Sequence, residues 1–190
     1  EDGTTWFQQE GAWNGSSPSL FGISCVDADN CWAVGHEGTV LHTSNGGDSW
    51  TLQNSQTHLG LNAVHFIDNE RGWTVGGVAY ASTRRTSNGG MTWENLTTSS
   101  VANLRGIRFV NSTHGWVVGT QIIMFTNDSG DNWYSQSTDI DRYGNVPVTL
   151  RSVDFPAENV GWAVGDEGVI LRYGELATPA LICPALTDAC

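Results

Sequence analysis

The sequence predicts an all-β fold, a small β-propeller of four four-stranded blades, and two repeated signatures predict it. The first signature is Trp-x-Val-Gly, which occurs four times. A leucine stands twelve residues before each of these tryptophans in every copy. The pairs are Leu20 and Trp32, Leu61 and Trp73, Leu104 and Trp116, and Leu150 and Trp162. Repeats of about 40–45 residues are typical of stacked or radially arranged units.

The second signature is a turn rich in Asn and Gly that ends on a tryptophan. Its copies occupy residues 44–50, 87–93 and 127–133. Because Asn and Gly readily adopt positive φ, each copy predicts a hairpin turn that leads into a further strand.

Each repeat therefore predicts a four-stranded antiparallel meander, which is one propeller blade. The first strand begins at the leucine, the second carries Trp-x-Val-Gly, the third follows a tight turn, and the fourth carries the tryptophan of the second signature. The predicted first strands are 20–26, 61–67, 104–110 and 150–155, and the third strands are 39–43, 79–86, 122–126 and 169–173.

The two ends of the chain predict how the ring closes. The fourth repeat stops at Gly174 without the turn signature, whereas the chain begins with the end of such a signature, up to Trp6. We therefore expect residues 6–9 to complete the last blade, which removes two open sheet edges. The predicted domains are a propeller over 1–174 and an apolar, cysteine-containing tail over 175–190. The alternative is half of an eight-bladed ring made by two chains.

Composition narrows the class of partner. The net charge is −12, and all eight basic residues are arginine. This acidity argues against nucleic acid and against an anionic membrane surface. No stretch approaches the length of about 18 apolar residues that spans a bilayer.

Four cysteines stand in two close pairs, Cys25 with Cys31 and Cys183 with Cys190. Neither pair has the spacing of a zinc site. Cys25 and Cys31 face each other across a predicted turn, where a disulfide would stabilise the fold by about 2 kcal/mol. Two such pairs favour an oxidising compartment. The alternative is four buried free thiols.

Four glycosylation sequons favour the same compartment. They begin at Asn14, Asn95, Asn111 and Asn127. Together with the cysteines they predict an extracellular or cell-surface protein that passes through the secretory pathway.

The turn signature resembles the Asp-box, or BNR repeat, of sialidases and sortilin-type receptors, in a degenerate form. Combined with Trp-x-Val-Gly, it is more similar still to the photosystem II assembly/stability factor-like propellers, and xyloglucan-cleaving glycosidases share the pattern. The resemblance covers nearly all of residues 1–174 and implies the propeller fold. It implies little about chemistry, because Asp-boxes shape the turn and a fold does not fix a function.

A catalytic set is not evident in the sequence. A sialidase-like enzyme would require three arginines, but only Arg105 and Arg151 occupy equivalent positions. A glycosidase would require two carboxylates beside a sugar cleft. The acidic candidates are Asp154, Asp166 and Glu167. We predict that the chain is not an enzyme and has no cofactor or metal, since its five histidines form no ligand motif.

The remaining candidate is a binding face. In a propeller, the starts of the first strands and the turns between second and third strands share one face. The residues predicted to lie there are Phe21, Asn62, Arg105, Arg151, His36, Glu37, Asp166 and Glu167, with Arg142 and Tyr143 in a long loop. Arginine and aromatic residues are typical of interaction surfaces, and the resemblance implies an arginine patch that binds partner proteins. The alternative is that Arg105 and Arg151 only neutralise an acidic rim.

We therefore predict a secreted, non-catalytic propeller that acts as a protein-binding or assembly scaffold. One alternative is a structural subunit of an extracellular polymer that self-associates through residues 175–190. Another is a carbohydrate-binding or glycoside-hydrolase-like propeller with a glycan as its partner.

Overall fold

The computed structural model describes residues 5–9, 17–78, 80–96, 98, 102–137 and 148–174. Fifteen strands form four antiparallel sheets in these ranges, and each sheet joins strands that are consecutive in the chain. The first blade contains β1 (Leu20–Cys25), β2 (Asn30–Gly35), β3 (Val40–Ser44) and β4 (Thr51–Gln53). The second contains β5 (Leu61–Phe66), β6 (Gly72–Gly76), β7 (Ser82–Thr86) and β8 (Glu94–Leu96).

The third blade contains β9 (Leu104–Phe109), β10 (Gly115–Gly119), β11 (Ile122–Thr126) and β12 (Tyr134–Ser135). The fourth has three strands, β13 (Leu150–Ala157), β14 (Val160–Gly165) and β15 (Ile170–Tyr173). The first strands of successive blades contact each other, so that the blades form a series, which we call the array. The all-β architecture predicted from the repeats is confirmed.

A β-bulge shapes the first strand of every blade. In β5, Leu61 pairs with Gly76 and Ala63 with Val75, so that Asn62 is the extra residue. The same interruption follows Leu20, Leu104 and Leu150. Because the bulge shifts the alternation by one residue, the leucine and the residues three and five positions later lie on one face. This explains why the apolar positions of the first strand lie three and five residues after the leucine, although side chains in a regular strand alternate between faces.

One aromatic stack joins each blade to the next. Trp32 lies parallel to Phe66 of the second blade, with ring centroids 3.7 Å apart. Trp73 stacks on Phe109 and Trp116 stacks on Phe155 at the same 3.7 Å separation. The three tryptophans are 0–2% exposed. Burial of such large rings supplies much of the hydrophobic stabilisation of the array.

The glycine before the repeated tryptophan makes room for this stack. A Cβ on Gly115 would lie 2.7 Å from the ring of Phe109, and one on Gly72 would lie 2.5 Å from Phe66. The first blade has no such glycine. There Cys25 pairs with Cys31, and a disulfide joins them, so that the disulfide occupies the two positions that Phe and Gly hold in the other blades.

The Asp-box turns share one hydrogen-bond network. In the first blade, Gly47 N donates to Thr43 Oγ1 at 2.9 Å and Ser49 N donates to Asn45 Oδ1 at 3.0 Å. Equivalent bonds at 2.9 Å recur in the second and third blades. The side chains therefore satisfy backbone groups within the turn, which agrees with a structural role for this signature.

The closure predicted for residues 6–9 is not formed in this structure. The fourth sheet ends at β15, and residues 5–9 belong to no strand. They lie instead beside the first blade, where Gln9 Nε2 donates to Gly46 O at 3.4 Å and Trp50 Nε1 donates to Gln9 Oε1 at 3.1 Å. The tail 175–190, with Cys183 and Cys190, lies outside the described residues.

Removing one ring of a stack should weaken the whole array. We expect Phe109→Ala to lower the free energy of unfolding by about 3–5 kcal/mol, because it removes a buried ring and leaves a cavity. Chemical denaturation followed by tryptophan fluorescence measures this change. The matched control is Phe21→Ala, an exposed phenylalanine, for which a change below about 0.5 kcal/mol is expected. Equal losses in both variants would contradict a special role for the stack.

The disulfide of the first blade should stabilise the fold modestly. We expect the paired change Cys25→Ser and Cys31→Ser to lower the free energy of unfolding by about 2 kcal/mol, because the unfolded chain regains the freedom of a short loop. Denaturation of the reduced natural chain provides the comparison and should give the same loss. Unchanged stability in both samples would show that the disulfide contributes nothing.

Candidate functional site

The predicted binding residues at the strand starts are the bulge residues of the four blades. They are Phe21, Asn62, Arg105 and Arg151. A bulge re-aims the side chain of its extra residue and frees it from the regular ladder. Four bulges at one repeated position therefore present four side chains in a row at one end of the first strands.

Two turns flank this row. Residues His36–Gly38 and Asp166–Gly168 each form a single 3₁₀ turn directly after a Trp-x-Val-Gly strand. Glu37 and Glu167 adopt left-handed backbone conformations, with φ of 54° and 57°. Such conformations are uncommon outside glycine and occur where a turn must be tight. Both glutamates are exposed, and Arg142 and Tyr143 of the predicted face lie outside the described residues.

Arg151 is held by the neighbouring turn. Its Nε and Nη2 both donate to the carboxylate of Asp166, and the second contact measures 3.2 Å. The hydrogen bonds and the charge of Asp166 raise the pKa of the Arg151 guanidinium above its ordinary value. This arginine is therefore already neutralised by its own blade.

Arg105 occupies the equivalent position without such a partner. The turn after β10 is Thr120–Gln121 and contains no acid at the place of Asp166. Among the described residues, no carboxylate lies within ion-pair distance of Arg105, and its buried Nε has no hydrogen-bond partner. When the oxygen of the Asn103 amide faces Arg105, Nη2 donates to it at 3.2 Å.

Asn62 joins the second blade to the third within this row. Its Nδ2 donates to Leu104 O at 2.6 Å and lies 2.9 Å from the side-chain amide of Asn103. The amide of Asn103 thus lies between Asn62 and Arg105, and its oxygen accepts from one of these two side chains at a time. We call the row of Phe21, Asn62, Arg105 and Arg151 the bulge row.

A second polar row lies four residues after each leucine, and sequence reasoning missed it. Its members are Ser24, His65, Arg108 and Asp154. Arg108 connects the last three, since its Nη1 lies 3.0 Å from His65 Nε2 and its Nε lies 3.2 Å from Asp154 Oδ1. The signal that could have found this row is the constant offset of four residues. Taken one at a time, His65 and Asp154 show no such relation in the sequence.

The surroundings of His65 oppose its protonation. Phe109 N donates to Nδ1 at 3.3 Å, and the Arg108 guanidinium faces Nε2. Both ring nitrogens therefore face N–H donors, and a cation lies beside the ring. Burial, followed by the charge of Arg108, lowers the pKa of His65 to about 4.

The sequons differ in accessibility. Asn95 and Asn127 are exposed, whereas the Nδ2 of Asn111 donates to Glu158 and its Oδ1 accepts from His114 N at 2.8 Å. A glycan on Asn111 would have to break the contact with Glu158, because glycans attach at this nitrogen. Asn14 lies outside the described residues.

Two further features are absent from the described parts of the chain. These parts contain no group of three or more His, Cys, Asp or Glu side chains that could hold a metal ion. They also contain no helix with the length and apolar character needed to cross a bilayer.

Comparison with known sequences identifies relatives. The profile of the family described as photosynthesis system II assembly factor YCF48 matches residues 51–135 and 89–175, which overlap and together cover more than half of the chain. The chloroplastic photosystem II stability/assembly factor HCF136 of Arabidopsis thaliana is 36% identical over 61 residues. This match covers 30% of the chain and 15% of HCF136.

Comparison with solved structures shows the same fold. YCF48 from Cyanidioschyzon merolae superposes with a TM-score of 0.64 at 18% identity, over 82% of this chain and 51% of that one. A GH74 enzyme from Niastella koreensis gives a TM-score of 0.62 at 13% identity, over 78% of this chain and 26% of the enzyme. The chain therefore spans about half of the YCF48 structure and a small part of the other two relatives.

His65 should make stability depend on pH. The unfolded histidine takes up a proton near pH 6.5, whereas the folded one does so only near pH 4. Stability is therefore full above pH 6.5 and falls, by about 3 kcal/mol from this group, as the pH is lowered to 4. We expect His65→Gln to remove this part of the dependence of the free energy of unfolding on pH. Denaturation at a series of pH values measures it. The matched control, His36→Gln, changes an exposed histidine and should keep the natural dependence.

Proposed function

Since this chain belongs to the family of the photosynthesis system II assembly factor YCF48, we propose that it is a protein-binding propeller that acts in the assembly of a larger complex. Its binding surface is the bulge row together with the two adjacent 3₁₀ turns. The partner presents a carboxylate, from an acidic side chain or a chain terminus, to Arg105. Neighbouring side chains of the row contact the rest of the partner segment.

The observation that carries this proposal is the missing acid beside Arg105. Arg71 and Arg85 are ion-paired, as are Arg108 and Arg151, whereas no carboxylate of the described residues pairs with Arg105, which faces the same surface as Arg151. Its Nε is buried and has no hydrogen-bond partner. A charged group that lacks an acceptor within the chain favours a partner that supplies one. A guanidinium also binds a carboxylate in a bidentate geometry, which adds specificity.

The neighbours of Arg105 suit a peptide segment. Phe21 presents an exposed aromatic ring at one end of the row, and Asn62 and Asn103 present amide groups beside the guanidinium. Aromatic and arginine side chains dominate the binding energy of many protein interfaces. The negative net charge of the chain makes a partner with an isolated carboxylate more suitable than a strongly acidic one, because like charges repel.

Two observations favour binding over the glycosidase alternative. Asp154 and Asp166, two of the three acidic candidates, are ion-paired with Arg108 and Arg151. An arginine beside a carboxylate favours its ionised form and opposes the role of a general acid. The named family members are assembly factors, while the likeness to a GH74 enzyme at 13% identity concerns the fold alone.

We also propose that the chain works in an oxidising compartment on the secretory route. The disulfide between Cys25 and Cys31 supports this location, because disulfides persist mainly in oxidising surroundings. The exposed sequons at Asn95 and Asn127 are compatible with it. Attachment through residues 175–190, which would make the chain a polymer subunit, stays a prediction.

The proposed binding surface can be tested with random peptides displayed on phage and selected against the immobilised chain. We expect enrichment of peptides that carry Asp, Glu or a free carboxyl terminus. Arg105→Gln should weaken these peptides about tenfold or more, because one charge-assisted contact is lost. The matched control is Arg71→Gln, whose arginine pairs with Asp68 in the turn at the opposite end of the first strands.

Two results would contradict this proposal. One is selection of peptides without any preference for carboxylates. The other is equal binding of the selected peptides to the natural chain and to Arg105→Gln, when circular dichroism shows both to be folded.

A further inference from the structure

Each contact between blades joins a face that carries a tryptophan to a face that carries a leucine. At the two ends of the array, one face of each kind is exposed. In the first three blades, the tryptophan of Trp-x-Val-Gly is 0–2% exposed beneath the next blade. Its equivalent in the fourth blade, Trp162, is 41% exposed, and Ile170 beside it is 71% exposed. The outer face of the fourth blade therefore has the residues that pack against a following blade in the other three cases, but no described blade packs on it.

The first blade exposes the complementary half. In the second blade, Leu61 and Val64 are buried against the first blade, within one apolar cluster. Their equivalents in the first blade are Leu20 and Ile23, and Ile23 is 64% exposed. We call these two surfaces the terminal faces. The face of the fourth blade has the residue types of a surface that is buried three times elsewhere in the array. The face of the first blade keeps the leucine and the β-branched residue but has the disulfide of Cys25 and Cys31 where the other blades have phenylalanine.

Within its described residues, the fourth blade also lacks the fourth-strand tryptophan that packs on a phenylalanine in the second and third blades. Trp93 packs edge-on against Phe66, and Trp133 against Phe109, at the first two blade contacts. At the third contact there is instead a groove of about 600 Å³ lined by Trp116, Phe155, Tyr173 and others.

A hydrogen-bond acceptor is also missing at this groove. Trp32 Nε1 donates to Gly89 O at 3.0 Å and Trp73 Nε1 donates to Ser129 O at 2.8 Å. Both acceptors belong to the Asp-box turn of the next blade. The buried Nε1 of Trp116 has no partner, because β15 is followed by no such turn within the described residues.

Residues 5–9 already lie where the fourth strand of a preceding blade would lie. In the first blade, Gln53 of β4 donates through Nε2 to Gly89 O of the second blade at 2.8 Å. Gln9 donates in the same way to the equivalent Gly46 O. Gln53 follows Trp50 by three residues, as Gln9 follows Trp6. The side chain of Trp6 is 99% exposed and is therefore free to enter an aromatic groove.

We propose that a second copy of this chain docks head to tail on the array. The outer face of the fourth blade of one copy packs on the first blade of the other, and Ile170 meets Ile23 across the contact. Residues 5–9 of the second copy add a fourth strand beside β15, which places Trp6 in the groove that Trp116, Phe155 and Tyr173 line. The same contact forms twice, so that two copies close one ring.

Geometry favours a second copy over closure within one chain. The three blade contacts share the same 3.7 Å stack, and with these contacts in place the terminal faces stay exposed. A second copy adds a contact of the same kind, in which Trp162 meets the disulfide of Cys25 and Cys31 in place of a phenylalanine, and it leaves the three existing stacks unchanged. Two copies supply eight blades, the upper end of the usual range of about 4–8. The second contact of a ring is intramolecular, which strengthens the pair.

This inference is independent of the proposed binding function. The terminal faces contain no residue of the bulge row except Phe21, which neighbours Leu20. Arg105 lies in the third blade, two blades from the first and one from the fourth.

Sedimentation velocity of the 190-residue chain tests the proposal. We expect a species of twice the chain mass of 20.5 kDa that dissociates on dilution. Ile170→Asp and Ile23→Arg should each weaken the dimer roughly a thousandfold, because each buries an unpaired charge in both contacts. Both side chains are largely exposed in one copy, so each variant should still fold.

Mixing these two variants gives the sharpest result. In a mixed dimer one contact is natural, and the other brings the introduced carboxylate against the introduced guanidinium, so that equal amounts of the two variants should recover the dimer. The matched control, Tyr80→Asp, adds a charge at an exposed aromatic residue outside the terminal faces and should leave the dimer unchanged. Trp6→Ala should weaken it by about 30-fold or more, as loss of an aromatic anchor does.

Several results would overturn the proposal. A chain that stays monomeric at every concentration would do so, whether Trp6 is then exposed or is buried by closure within the chain. Dimers of Ile170→Asp as stable as those of the natural chain would place the contact elsewhere. A mixture of the two charged variants that stays monomeric would show that the contact is not head to tail.

Discussion

The stack of a tryptophan on the phenylalanine of the next blade is the contact on which this structure depends. It requires the tryptophan on the second strand, the phenylalanine on the first strand of the following blade, and no Cβ at the residue before the tryptophan of that blade. The bulge is a fourth requirement, because it turns the phenylalanine to the same face as the leucine at the strand start. Each requirement fixes one element of the repeat, and together they explain its unusual spacing.

The same bulge connects packing to the surface proposed for binding. The extra residue of each first strand stands outside the regular ladder, at one end of the array. There Asn62 bonds to the next blade and Arg151 bonds to a turn of its own blade. Phe21, Asn62, Arg105 and Arg151 differ widely in chemistry although they occupy one structural position. The fold thus supplies a variable row beside a repeated core, which suits a propeller whose function is recognition.

Most of the architecture could be predicted from the sequence because each blade repeats the same short-range pattern. The leucine-to-tryptophan offset located the first strands, and the Asn- and Gly-rich signature located the turns. The pairing of Cys25 with Cys31 followed from a single hairpin. Contacts between blades were harder, because their partners lie about forty residues apart. Thus the polar row of His65, Arg108 and Asp154 was missed, and the position of residues 6–9 beside the first blade rather than the fourth was not anticipated.

The directional nature of the blade contact has a consequence for how such chains change in length during evolution. Each blade packs its tryptophan face on the following blade and its leucine face on the preceding blade. When a blade is duplicated or deleted, every remaining contact therefore still joins a tryptophan face to a leucine face. Gene duplication can therefore lengthen the array by whole blades without new compensating substitutions. The first blade is the exception, since Cys25 and Cys31 stand where the others have phenylalanine and glycine. A copy of this blade placed inside the array would offer its neighbour a disulfide instead of an aromatic ring, so we expect growth by duplication to proceed from the other three.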